Sequence, residues 1–280
     1  LVTRCLESKN WSSFKGGTEG WALDDCAYMP SEEAAKFDAT AIRFLGGEYV
    51  RKLEADVARD TDVTFAVSAN SATSALVMAL GAINLEPGDE VIVPCLSFNA
   101  SATAILFFNA APVFCEVKPD TLCIDPIDIE RKITGNTKAI MVVHFAGNSA
   151  DMDSIMALAE KHSLRVIEDT AQAPGARYGD RALGSIGDAG IFSFTETKNI
   201  SCGEGGMVTT NDPKIAKKCR LIRNHGEGMT DESWSDEELA NIIGMNFRLT
   251  ELQAAVAIPQ WGDLRRRNAI RNENWDILVS

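Results

Sequence analysis

The sequence is poor in the features that bind polyanions, hold metals or build disulfide frameworks. Lys and Arg number 27 against 40 Asp and Glu, a formal net charge of −13 at pH 7. That balance argues against a nucleic-acid partner, because phosphate binding draws on clustered basic side chains. The one dense basic run, Arg265-Arg266-Arg267, reads as the solvated face of a helix. Histidine occurs only as His144, His162 and His225, far apart and outside any H-E-x-x-H pattern. Cys5, Cys26, Cys95, Cys115, Cys123, Cys202 and Cys219 are odd in number, scattered and without a C-x-x-C pair. Neither a metal site nor a disulfide scaffold is expected, and reduced thiols in a cytoplasmic setting are the simplest reading. Apolar runs such as Ala139 to Phe145 are too short to span a bilayer, so no membrane partner is expected. The opening Leu1-Val2-Thr3-Arg4-Cys5 has neither an initiator Met nor the apolar core of a signal peptide.

What the sequence does contain is a hydrophobic content of 45% over 280 residues, enough for a large core. Its middle alternates strand-like and helix-like segments. Thr64 to Ser68, Glu90 to Pro94, Ala111 to Val117, Ala139 to His144 and Leu164 to Asp169 read as buried strands. Between them Ser71 to Ile83, Asn99 to Asn109, Pro126 to Ile133 and Met152 to His162 read as helices, the last with Met152, Ile155, Met156 and Ala159 on one face. Ala189 to Phe194 and Gly206 to Thr210 are two more strands, and Asp212-Pro213 opens a helix with an N-cap and a proline at its first position. Ala41 to Arg59 also reads as helical. Such alternation predicts an α/β fold with a mostly parallel central sheet and helices on both faces. Ligands in such sheets bind beyond the carboxyl ends of the strands, where His144 and Asp169 fall.

Lys198 is the residue whose surroundings point to chemistry. It follows an apolar strand and precedes Gly203-Glu204-Gly205-Gly206, where backbone can approach a ligand closely. A loop lysine is ordinarily a solvated charge. Asp169 ends a preceding strand and is placed to share its crevice, and a lysine that is buried loses its charge easily and can then form a Schiff base with an aldehyde. Asp169 taken alone reads equally as a cap or turn residue.

The run Val166-Ile167-Glu168-Asp169-Thr170-Ala171-Gln172-Ala173, then Gly184-Ser185-Ile186-Gly187-Asp188, Phe192-Ser193-Phe194, Lys198-Asn199 and Gly203-Glu204-Gly205-Gly206, resembles the DegT/DnrJ/EryC1/StrS aminotransferase family. The resemblance extends from about Gly47 to Leu264. It implies a fold-type-I enzyme using pyridoxal 5′-phosphate, with pyridoxamine 5′-phosphate as the intermediate form. By position, Lys198 matches the lysine that forms the Schiff base and moves the proton. Asp169 matches the carboxylate that keeps the pyridine nitrogen protonated, which makes the ring a better electron sink. Gln172 matches the contact to the phenolic oxygen, Ser193 a phosphate-binding hydroxyl, and Phe98 the aromatic that stacks on the ring. Ser71-Ala72-Thr73 resembles the segment whose backbone amides bind the phosphate at a helix start, a favoured anion site. Ala72 stands where glycine is more usual. Gly244-Met245-Asn246-Phe247-Arg248 resembles the segment whose asparagine reaches the phosphate of the neighbouring subunit, which implies a homodimer with shared active sites. Thr195 stands where the family often has histidine, so no role carries over to it. Relatives that act as sugar dehydratases carry histidine at the lysine position, so Lys198 favours transamination.

The implied reaction moves an amino group from glutamate or glutamine to a keto sugar, nucleotide-linked, or else to a cyclitol, in amino-sugar, surface-polysaccharide or antibiotic biosynthesis. The alternatives are a dehydratase or lyase on the same scaffold, or a non-catalytic regulatory protein that binds the cofactor. Residues 1–262 are expected to form the cofactor-binding large domain with an N-terminal arm. Residues 263–280 are expected to begin a C-terminal small domain of which the rest is missing. Trp11, Phe14, Trp21 and the stretch Tyr178 to Arg181 either line a sugar pocket or pack onto the large domain.

Overall fold

The computed structural model describes residues 1–8, 46–226 and 242–280. Trp11, Phe14 and Trp21 lie outside the described residues, as does the start of the helix expected from Ala41. After a short helix α1 (Val2–Ser8) the described chain resumes with α2 (Glu48–Thr61). There follow β1 (Phe65–Ala69), α3 (Ala72–Ala82), β2 (Glu90–Pro94), α4 (Ala100–Leu106), β3 (Ala111–Cys115) and α5 (Pro126–Lys132). Next come β4 (Thr137–Val143), α6 (Met152–His162), β5 (Arg165–Asp169) and the small hairpin β6 (Arg177–Tyr178) and β7 (Arg181–Ala182). The last elements are β8 (Ala189–Ser193), β9 (Gly206–Thr210), α7 (Pro213–Arg223), α8 (Glu251–Gly262) and α9 (Leu264–Val279). Strand and helix positions thus follow the hydrophobic pattern closely. The helix expected from Asn99 to Asn109 is shorter, ending at Leu106 before the turn that leads to Asn109, which has a φ of 54°.

Among the described residues seven strands form one sheet in the order β1-β9-β8-β5-β4-β2-β3. The pairs β2–β3, β2–β4, β4–β5 and β5–β8 are parallel, and only β9 runs against its neighbours β1 and β8. Because side chains alternate across a strand, successive residues feed opposite faces. Val91, Val93, Ala139 and Met141 pack with α3, α4 and α7 on one side. Ile92, Ile140, Val142 and Val166 pack with α5 and α6 on the other. At the β1–β9 end a further core joins Ala66, Phe192 and Met207 to α1, α2 and α8. Both faces are covered, which is why the strands read as nearly unbroken apolar runs.

Helix starts obey local capping rules. Ser71, Asp125, Asp151 and Asp212 each accept a backbone N–H of the helix they precede, and Thr250 with Gln253 forms a capping box at α8. Gly47, before α2, has no side chain to cap with. The buried Glu251 carboxylate supplies the cap instead, accepting from the N–H groups of Gly47, Tyr49 and Val50 at 3.1, 2.9 and 3.2 Å. Arg266 and Arg267 of the basic run pair with Asp263 at the head of α9. Among the described residues no helix is long and apolar enough to cross a membrane.

Candidate active site at the carboxyl edge of the sheet

The parallel strands all end along one edge, and nearly every residue singled out in the sequence lies just beyond it. Ser71 follows β1, Phe98 follows β2, His144 follows β4, Asp169 ends β5 with Gln172 behind it, and Ser193 ends β8 ahead of Lys198. Because β9 is antiparallel, its first residue Gly206 comes to the same edge. This is where open α/β sheets bind ligands.

Asp169 is buried and has two hydrogen bonds: the Ser101 hydroxyl donates to Oδ2 at 2.9 Å and the Ala171 N–H to Oδ1 at 3.1 Å. Burial pushes its carboxyl above the usual range, against the pull of those two donors and of the nearby Lys198 and His144. Lys198 is half-buried in a turn closed by its N–H to the Thr195 carbonyl at 3.1 Å, and its amine makes no hydrogen bond or ion pair among the described residues. The Gln172 side-chain carbonyl accepts the Ala146 N–H at 2.9 Å, which fixes the side chain and leaves its amide NH2 free to donate. Ser193 is a buried residue, and its hydroxyl has no hydrogen-bond partner among the described residues.

At the head of α3, Ser71 accepts the Ser74 N–H at 3.1 Å, while the N–H groups of Ala72 and Thr73 have no acceptor among the described residues. Gly206 lets β9 lie directly against this turn: a Cβ there would come within 2.4 Å of the Ser71 carbonyl carbon and 2.6 Å of the Ala72 nitrogen. The result is a helix N-terminus with open donors, suited to an anion. Phe98 is 71% exposed, its ring free, three residues before the serine that bonds Asp169. Asn246 has an exposed side chain without a hydrogen bond among the described residues. Its carbonyl accepts from Asn70 Nδ2 at 3.3 Å, so its backbone lies beside the turn that leads into α3. Tyr178 and Arg181 sit in the β6–β7 hairpin and turn to Asp151 and Asp153, at the amino-terminal start of α6.

Sequence reasoning missed several supports. Ser101, the partner of Asp169, was only one small residue in a predicted helix. Glu168 and His144 form a buried pair at 3.0 Å, with His144 Nδ1 accepting the Ala150 N–H at 3.2 Å and the His144 backbone N–H donating to the Asp169 carbonyl at 3.1 Å. The apolar strand endings marked His144 but neither Glu168 nor the pairing.

A family model described as the DegT/DnrJ/EryC1/StrS aminotransferase family matches residues 31–280. The chain belongs to this family. A "Pleiotropic regulatory protein" of Geobacillus stearothermophilus is 41% identical over 234 residues, covering 81% of this chain and 61% of the relative. A UDP-N-acetyl-3-dehydro-alpha-D-glucosamine 3-aminotransferase of Acidithiobacillus ferrooxidans is 44% identical over 233 residues, again covering 81% and 61%. Among solved structures, S. venezuelae DesV in complex with a ketimine intermediate superposes with a TM-score of 0.72 at 38% identity, covering 88% of this chain and 65% of that one. The chain therefore spans about three fifths of the length of these curated relatives. The family's cofactor is pyridoxal phosphate. The open amides at α3 and the buried Asp169 carboxylate fit its phosphate and its ring nitrogen.

Proposed function

We propose that the whole protein is a pyridoxal-phosphate-dependent aminotransferase that moves an amino group from glutamate or glutamine to a keto sugar, nucleotide-linked as in the Acidithiobacillus relative. The observation that carries this reading is the convergence, on one sheet edge, of a buried carboxylate with a lysine and helix-start amides that have no partner among the described residues.

Bound pyridoxal phosphate supplies an aldehyde carbon for the amino group and a ring that accepts electrons from the adjoining carbon. With the cofactor bound, Lys198 would be the side chain that holds its aldehyde carbon, and its amine would serve as the base that moves the donor's α-proton. Asp169 holds the ring nitrogen protonated, and its burial strengthens that contact by excluding water. Gln172 donates through its free amide to the ring's phenolic oxygen. The Ala72 and Thr73 amides with the Ser71, Thr73 and Ser193 hydroxyls bind the phosphate, and Phe98 covers one ring face. Asn246 contributes to the site of a second copy, which makes a homodimer the smallest working unit.

Borohydride reduction of the cofactor-loaded protein should fix the adduct on Lys198, located by peptide mass mapping. Lys198→Ala should abolish the adduct and slow amino transfer by about 10²–10⁴-fold from the lost proton transfer alone. Unchanged turnover in that variant would sink the proposal. A panel of UDP- and GDP-linked keto sugars and a keto cyclitol, with glutamate or glutamine, identifies the acceptor and donor. The name of the Geobacillus relative favours a second reading, a regulatory protein that binds the cofactor without turnover. A Lys198 adduct with no amino transfer to any member of the panel would select it.

A further inference from the structure

We infer that Asn268, on α9, is a positioning residue that fastens the Lys198 loop to the Gln172 loop; the inference rests on the site proposed above. Its Oδ1 accepts from Asn199 Nδ2 at 2.7 Å, and its Nδ2 donates to the Pro174 carbonyl at 2.9 Å. Asn199 directly follows Lys198, and Pro174 lies two residues after Gln172. Among the described residues no other side chain bonds both loops. The approach of α9 depends on Gly175, whose φ is +80° and where a Cβ would stand 2.9 Å from Asn268 Nδ2 and 3.2 Å from Leu264 Cδ2.

The same loop is gripped further along by α8. Gln260 accepts the Ser201 N–H at 3.1 Å and donates back to the Ser201 carbonyl, while Gln253 donates to the Glu204 carbonyl at 2.8 Å. These three grips are neutral carboxamides, and Arg267 of α9 adds a charged one, its Nη1 donating to the Asn199 carbonyl at 3.4 Å. A carboxamide has a donor and an acceptor fixed in one plane. Used as a bridge, it sets the separation of the two loops, and with it the distance between the lysine and the glutamine. Misplacement by about 1 Å is enough to slow a reaction as much as a hundredfold.

The test uses the full chain as Asn268→Ala, Asn199→Ala and the double variant, with Arg271→Ala as a control on an exposed residue of the same helix. Amide hydrogen exchange without added cofactor is one readout, and the rate of borohydride trapping with pyridoxal phosphate at Lys198 is the other. Asn268→Ala should speed exchange about tenfold over residues 173–176 and 198–202 while β1 and β9 stay protected. Trapping should slow about tenfold, and the double variant should be no slower than Asn268→Ala, because both substitutions break one link. Asn199→Ala should loosen only the Lys198 loop, and Arg271→Ala neither. Unchanged exchange in either loop, or losses that multiply in the double variant, would overturn the inference. If Asn268→Ala also exposes β1 and β9, Asn268→Asp decides, since it keeps the acceptor for Asn199 and loses the donor to Pro174. It should loosen only residues 173–176, and protection of both loops would refute the clamp. Failure of the unaltered chain to trap at Lys198 would instead refute the site, with the exchange pattern still judging the clamp.

Discussion

Glu168 and Asp169 are neighbours on β5, both buried, yet the fold treats their carboxylates in opposite ways. Glu168 accepts from His144 at 3.0 Å and from the N–H groups of Gly184, Ile186 and Gly187 at 2.9, 2.7 and 2.7 Å. Burial works to raise its carboxyl, but these donors outweigh it and hold the group below the usual range. Asp169, one residue on and therefore on the opposite face, has two donors, and burial wins. A buried carboxylate with four donors is a structural anchor, here tying the 184–187 loop to the sheet. One with two is under-provided for a charge, and a protonated ring nitrogen is the partner that would complete it. On the function proposed above, two adjacent acids therefore separate support from chemistry.

The strongest way to break this comparison is to remove the anchor. Glu168→Ala leaves three backbone N–H groups and the His144 ring N–H facing a cavity. The expected cost is about 3–5 kcal/mol, the range for deleting one side of a buried charged network. Urea unfolding measures it, with Glu168→Gln as a volume-preserving companion that should lose less. A loss under about 1 kcal/mol would show that the loop does not depend on Glu168.

Asp169→Asn should act in the opposite direction on stability. The Asp169 carboxyl is raised in the fold, so its contribution favours folding below the ordinary carboxylate range and is lost as pH rises through the raised value. The asparagine variant lacks that loss. At neutral pH it should be more stable than the unaltered chain without cofactor, by on the order of 1 kcal/mol, while amino transfer collapses. The gain should vanish in acid. Glu168 runs the other way, since its lowered carboxyl stabilises the fold above the ordinary range and loses that effect as pH falls. The difference in unfolding free energy between each variant and the unaltered chain, followed from acid to neutral pH, should change with opposite sign for the two acids, and equal changes would end the distinction between them.

The framework was legible in sequence because hydrophobic periodicity determines which residues are buried. Glu90 to Pro94 and Met152 to His162 begin and end where the pattern placed them. The sheet edge followed, since Asp169 and His144 close apolar strands. Lys198 and Asp169 were readable as parts of a family pattern. The partners that hold them were not, because those bonds join residues 68 and 69 positions apart, as in Ser101 to Asp169 and Asn199 to Asn268. No local rule of spacing predicts which serine or asparagine is carried to such a meeting point. Side-chain pairing across a fold depends on where helices are docked, and α4 and α9 are placed by tertiary packing.

The smallest expected effect concerns that hidden serine. Ser101 is buried, bonds Ser97 Oγ at 2.7 Å as well as Asp169, and lies on the first turn of α4. Ser101→Ala removes a hydroxyl that stabilises the charged form of Asp169, so the Asp169 carboxyl should rise further. Overall stability should change by about 1 kcal/mol or less, because Asp169 can respond by taking up a proton. The informative quantity is therefore the pH window. In Ser101→Ala the fall in stability assigned to Asp169 should move to higher pH, and it should disappear in Ser101→Ala combined with Asp169→Asn. A window that stays in place would mean that burial and the Ala171 N–H alone set the state of Asp169. The difference between the two acids of β5 would then owe nothing to α4.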